Sequence, residues 1–75
     1  MTDWRAIVGN NIRRRRLELG FTQEQVALEA EIDLTYMGGI ERGRRNPSLL
    51  VLARIAAVLK TTPADLVAIM DKDAA

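Results

Sequence analysis

Four helix-capping residues constrain this chain more than any other feature: Thr22, Asp33, Ser48 and Thr62, spread along 75 residues. A Ser, Thr or Asp at the N-cap accepts a hydrogen bond from a backbone N–H that the first helical turn leaves without a partner. Each of the four opens a stretch with apolar residues at helical spacing, and Gly20 and Gly43 stand where helices would stop. Thr22 has Gln25 three positions on, the pattern in which two side chains cap reciprocally. Pro63 follows Thr62 at a first-turn position, where its missing N–H costs nothing. No stretch alternates apolar and polar residues between turns, as a strand does. The expectation is an all-α fold of five helices. They run from Asp3 to Leu19, Gln23 to Ala30, Leu34 to about Arg42, Leu49 to Leu59, and from the Thr62 cap to about Met70.

The apolar spacing agrees with the caps. Val8, Ile12 and Leu19 share a face of the first helix, and Val26, Ala27 and Ala30 share a face of the second. Ile32 is placed to staple Met37 at the start of the third, with Ile40 one turn on. In the fourth, Leu49, Leu52, Ala56 and Leu59 form the expected inward stripe. Val51, Ile55, Val58, Leu66, Val67, Ile69 and Met70 are then more apolar surface than one inward face needs. A chain this short builds a small core and usually needs a staple. With no Cys there is no disulfide, and with no His either, a structural zinc site is not expected. A second copy of the chain remains. The expected face between subunits is Val51, Ile55, Leu66, Ile69 and Met70 on helices four and five.

The same absences narrow the chemistry. There is no thiolate nucleophile and no imidazole base, and Ser48 is the only Ser, so no Ser-His-Asp arrangement exists. The carboxylates are dispersed. The expectation is no catalysis, no cofactor, no metal and no small-molecule effector. No apolar run approaches the ~18 residues of a membrane span, and the start has no signal-peptide core, which predicts a cytoplasmic protein.

Net charge is +1, from 11 basic and 10 acidic side chains, and says little. Its distribution says more. Arg13, Arg14, Arg15 and Arg16 are consecutive, Arg42, Arg44 and Arg45 surround Gly43, and no acid occurs from Arg42 to Lys60. Nine of the 11 cations are Arg, which forks onto phosphate better than Lys. Solvated helix faces and a phosphate-binding footprint both fit this pattern.

Three strings carry a resemblance: Arg16 to Ala27 (RLELGFTQEQVA), Ile40 to Ser48 (IERGRRNPS) and Leu52 to Ala56 (LARIA). In this order and spacing they resemble the Cro/phage-repressor-type, Xre-like helix-turn-helix family, over roughly Ile12 to Leu66. Thr35-Tyr36 and the Gly39 to Arg42 string are similar to controller proteins of restriction–modification systems. The resemblance implies a five-helix lambda-repressor-like DNA-binding domain. Helices two and three form the helix-turn-helix, and helix three enters the major groove of double-stranded DNA. It also implies a homodimer on a palindromic operator.

Carried onto this chain residue by residue, the resemblance places base reading at Leu34, Thr35, Gly38 and Gly39. Two of these four positions have no side chain. That predicts sparse direct readout, either with close approach of the helix backbone to DNA or with a helix that ends early, and specificity taken from half-site spacing and DNA deformability. Phosphate contacts fall to Gln23, Arg44, Arg45, Asn46 and Ser48, with Arg13 and Arg14 as further candidates. Tyr36 has two readings, core packing or a phosphate contact, and Arg42 two, phosphate or the helix C-terminal dipole. Arg16 and Glu41 match a structural pair joining helices one and three. Glu31 occupies a turn where relatives often have Gly, which predicts a strained left-handed residue. The rival reading from another class is a protein-binding helical module, an antitoxin-like partner using helices four and five.

Overall fold

The computed structural model describes residues 1–69. Five helices follow in order: α1 Trp4–Glu18, α2 Gln23–Ala30, α3 Leu34–Glu41, α4 Leu49–Val58 and α5 Pro63–Leu66. Every expected cap is in use. Thr22, Asp33, Ser48 and Thr62 accept from the backbone N–H three residues on, and Asp3 does the same for α1. The Gln25 side chain returns a bond to the Thr22 N–H at 2.8 Å, completing the reciprocal cap.

Burial of apolar faces brings the helices together. Ile12, Val26, Met37, Ile40, Ile55, Leu59 and Leu66 lose all or nearly all contact with water. Complete burial of an aliphatic side chain of this size stabilises by about 1.5–3 kcal/mol before chain entropy is counted. α2 packs on both α3 and α4, α1 on α3 and α5, and α4 on α5. Ile32 packs against the core that contains Met37, as its position before the Asp33 cap predicts.

Three expectations need correction. Leu49 is 73% exposed, so the inward stripe of α4 begins at Leu52. Ile55 and Leu66, expected between subunits, are 0% and 2% exposed within their own chain. They fill the single core that a short chain must complete for itself. α5 is one turn and stops at Leu66, well short of Met70, which lies outside the described residues. Asn11 of α1 holds this end of the chain. Its buried side-chain amide donates to the carbonyls of Leu66 and Ala68, both at 2.9 Å.

Two backbone positions fix how α3 is held. Glu31 joins α2 to the turn at φ 58°, ψ 45°, the left-handed conformation expected there. This lets Ile32 N–H return to Ala27 O at 2.9 Å and turns the chain into α3. Gly9, in α1, faces the far end of α3. A Cβ there would lie 2.5 Å from the carbonyl oxygen of Ile40 and 2.7 Å from that of Glu41. Those atoms are backbone and cannot swing aside.

Gly9→Ala should therefore destabilise the domain by more than about 2 kcal/mol, although Ala favours a helix, because α1 and α3 must separate. Glu31→Gly should act oppositely. Relief of the left-handed strain, about 1–2 kcal/mol, outweighs the added freedom of the unfolded chain, about 0.5–1 kcal/mol. Thermal melts monitored by circular dichroism check both: a large drop for the first, a rise of a few degrees for the second.

Candidate nucleic-acid interface

α2, the turn at Glu31 to Asp33, and α3 form a helix-turn-helix. What positions it is a buried ion pair. Arg16 Nε meets Glu41 Oε2 at 2.6 Å, and Arg16 Nη2 meets Oε1 at 2.9 Å, a two-pronged contact between α1 and the end of α3. The side chains are 10% and 2% exposed. A third nitrogen of Arg16, Nη1, donates to Phe21 O at 2.9 Å, just before the Thr22 cap. The hydrogen bond to Glu41 holds the Arg16 guanidinium above its ordinary titration range, against the opposing pull of burial. A cation with a raised folded-state value gives its full stabilisation below the unfolded value. That contribution is lost only at strongly alkaline pH and is constant through neutrality.

Gln23 joins this pair. Its Nε2 donates to Glu41 Oε1 at 3.0 Å, as it must, since a carboxylate only accepts. Gln23 keeps a second amide hydrogen, and the α2 N-terminus opens onto a groove whose polar lining is Arg16, Thr22, Gln23 and the acidic Glu24. The α2 N-terminus favours an anion there through the helix dipole, against the charge of Glu24.

The outward face of α3 begins with Leu34 and Thr35, both exposed. Further along, the face departs from expectation. Gly38 and Gly39 are buried, Gly38 beneath atoms of Arg42 and Gln23 and Gly39 beneath Arg45. A Cβ at Gly38 would stand 3.0 Å from Arg42 Nη1 and 3.6 Å from Gln23 Oε1. A Cβ at Gly39 would stand 2.5 Å from Arg45 Cγ. The helix backbone is therefore covered, not bare. Nor does α3 end early at its glycines, since it continues to Glu41. Arg45 continues back along α3 until its guanidinium carbon lies 4.8 Å from the centre of the Tyr36 ring. Tyr36 thus packs its ring on the core and also carries an arginine.

The basic run in α1 divides by partner. Arg14 Nη2 donates to Asn11 Oδ1. Arg15 caps the end of α4, with Nε 2.9 Å from Leu59 O and Nη2 3.3 Å from Lys60 O, and also pairs with Glu18 at 3.6 Å. Arg16 is internal. Of the four, Arg13 alone makes no hydrogen bond or ion pair among the described residues, and it is exposed. After α3, Arg44, Arg45, Asn46 and Ser48 are all exposed. Sequence reasoning missed Gly9, Asn11 and the capping role of Arg15. Each role depends on an element far along the chain, and no local pattern signals it.

The architecture defines the class. Residues 12–66 match the helix-turn-helix family model, and the chain belongs to that family. Among curated relatives, an uncharacterized HTH-type transcriptional regulator, y4dJ of Sinorhizobium fredii, is 39% identical over 93% of this chain and 91% of its own length. The control protein C.MunI from Mycoplasma sp is 35% identical over 97% of this chain and all of its own length. The solved restriction-modification controller protein C.AhdI from Aeromonas hydrophila superposes with a TM-score of 0.80 at 35% identity, covering 83% of this chain and 94% of that one.

Arg16→Ala or Glu41→Ala should each cost about 3–5 kcal/mol, because each strands a buried charge. Replacing both by apolar residues of similar volume should recover a large share of the loss. A double-mutant cycle from urea melts measures the coupling. Arg15→Ala, which removes a more exposed cap, should cost about 1 kcal/mol or less by the same measurement.

Proposed function

We propose that this protein is a transcriptional regulator that binds a palindromic DNA operator as a homodimer in the cytoplasm, in the manner of restriction–modification controller proteins. The observation that carries this reading is the outward face of α3. It is rigidly held by the Arg16–Glu41 pair and presents Leu34, Thr35 and two folded-back arginines together. Arg44, Asn46 and Ser48 flank it on the exposed segment after α3, where they would meet the phosphate backbone. Gln23 would add a contact from the α2 N-terminus. Arg13 is the better candidate in α1, since Arg14 is engaged by Asn11.

The second copy is supported by apolar side chains left at the surface. Leu49 and Leu50 are 73% and 76% exposed, and Val67 and Ile69 are 39% and 45% exposed, with Val51 half-buried beside them in the chain. These residues take the place of Ile55 and Leu66 in the face between subunits. A two-fold axis there would set two α3 helices about one DNA turn apart, roughly 34 Å. No described helix is long and apolar enough to cross a membrane.

Selection of bound duplexes from a random pool should return inverted repeats with centres near one helical turn apart. Affinity for the winner should fall linearly in log–log terms with salt, with a slope of about −0.9 per phosphate neutralised. Leu50→Asp should keep the circular dichroism spectrum, shift sedimentation from dimer to monomer, and weaken operator binding at least tenfold. Salt-insensitive binding, or none, would instead favour a protein-binding module using the same apolar face.

A further inference from the structure

Among the described residues, three polar or charged side chains are buried. Arg16 and Glu41 pair with each other, and the third is Asn11, 4% exposed. A primary amide has two N–H donors and one carbonyl oxygen, and burial demands partners for them. Both Nδ2 hydrogens go to the carbonyls of Leu66 and Ala68, at 2.9 Å each. Oδ1 accepts from Arg14 Nη2, three residues further along α1. A guanidinium only donates and a backbone carbonyl only accepts, so Arg14 fixes which way round the amide sits. With Oδ1 toward Arg14, Nδ2 faces the end of α5.

The two carbonyls lie on either side of Val67, so Asn11 pins the backbone of that residue from both sides. The Val67 side chain is 39% exposed and lines a cleft with Trp4, Val8, Pro47 and Leu52. Ile69, 45% exposed, follows directly after the second pinned carbonyl. The other bonds of this stretch are local, from the N–H groups of Val67 and Ala68 back to Pro63, Ala64 and Asp65. α5 is a single turn, and an isolated turn of helix does not hold its own direction in water. The tie from α1 is what sets the path of residues 66–68.

We propose that Asn11, oriented by Arg14, is a positioning residue for subunit association. It sets Val67 and Ile69 in the geometry in which a second copy of the chain meets them. This role rests on the homodimer reading above. Asn11 is buried within its own chain and acts through residues 66–68. Association orders surface segments at a cost in chain entropy, and a segment already pinned has met part of that cost. The same bond gives Arg14, a member of the basic run, a task other than phosphate.

Two measurements separate association from DNA contact. Sedimentation equilibrium gives the dimer Kd. Titration of a duplex carrying one half-site, with each variant placed in the monomeric Leu50→Asp background, gives DNA contact by one subunit. Asn11→Leu keeps the volume and removes both donors. Asn11→Asp keeps the shape and turns the donor into a second acceptor facing two carbonyls. Each should raise the dimer Kd at least tenfold and weaken full-operator binding at limiting protein, with half-site affinity within twofold of the parent. Arg14→Met keeps the stem and removes the guanidinium. It should raise the dimer Kd severalfold and also spare half-site binding. Arg14 is only half-buried, so this variant tests the same contact if the Asn11 variants fail to fold. An unchanged dimer Kd in folded variants would overturn the proposal. So would losses of dimer and half-site binding that both track a lowered melting temperature, since Asn11 would then serve stability alone. A wild-type chain that sediments as a monomer at every concentration would remove the homodimer reading itself, and this proposal with it.

Discussion

One carboxylate holds the reading unit together. Glu41, at the last turn of α3, accepts two hydrogen bonds from Arg16 of α1 and one from Gln23 at the first turn of α2. Three helices thus converge on a side chain that is almost wholly out of water. A charge buried this deeply is tolerated only when its lone pairs are filled. That requirement is directional in a way that apolar packing is not. Methyl groups accept many neighbours, whereas a forked guanidinium meets a carboxylate in few orientations. Beside the pair, Gly9 brings the α1 backbone against the carbonyls of Ile40 and Glu41. The end of α3 is therefore set by an ion pair and a backbone contact together, and its outward face follows from them.

The arginines show how little a basic cluster says until the fold assigns each member. Four consecutive arginines could form one electropositive stripe. Instead the helix turns each by about 100°, and each finds a different surrounding. One is internal, one caps α4, one binds Asn11 and one faces solvent. The second cluster behaves differently, because Gly38 and Gly39 leave room on α3 and Gly43 turns the chain back toward it. The loss of helix propensity at Gly39, about 0.5–1 kcal/mol, is offset in part by the packing of the Arg45 stem over it. The glycines thus give the arginines room on α3 without offering side chains of their own.

Much of this was legible in the sequence, and the legible parts share a cause. Capping, stops and helical apolar spacing act over three to four residues. Hence Thr22, Asp33, Ser48 and Thr62 located four helix starts correctly, and Glu31 announced its left-handed turn. The errors share a cause as well. Ile55 and Leu66 look surplus in the sequence because spacing cannot tell which of two apolar faces a small core will use, and both lie inside. The local apolar run predicts a longer α5, while the group that binds its end, Asn11, is 55 residues away in sequence from Leu66.

The sequence by itself determined the five helices, the helix-turn-helix and its family, and the existence of a buried pair between Arg16 and Glu41. These depend on short-range rules or on strings that stay together along the chain. The tertiary structure alone decided which arginines are free, which apolar residues remain at the surface, and what covers Gly38 and Gly39. Those outcomes turn on contacts between residues distant in sequence or on the direction a long side chain takes. A linear string carries the residues for such contacts but not the distances between them.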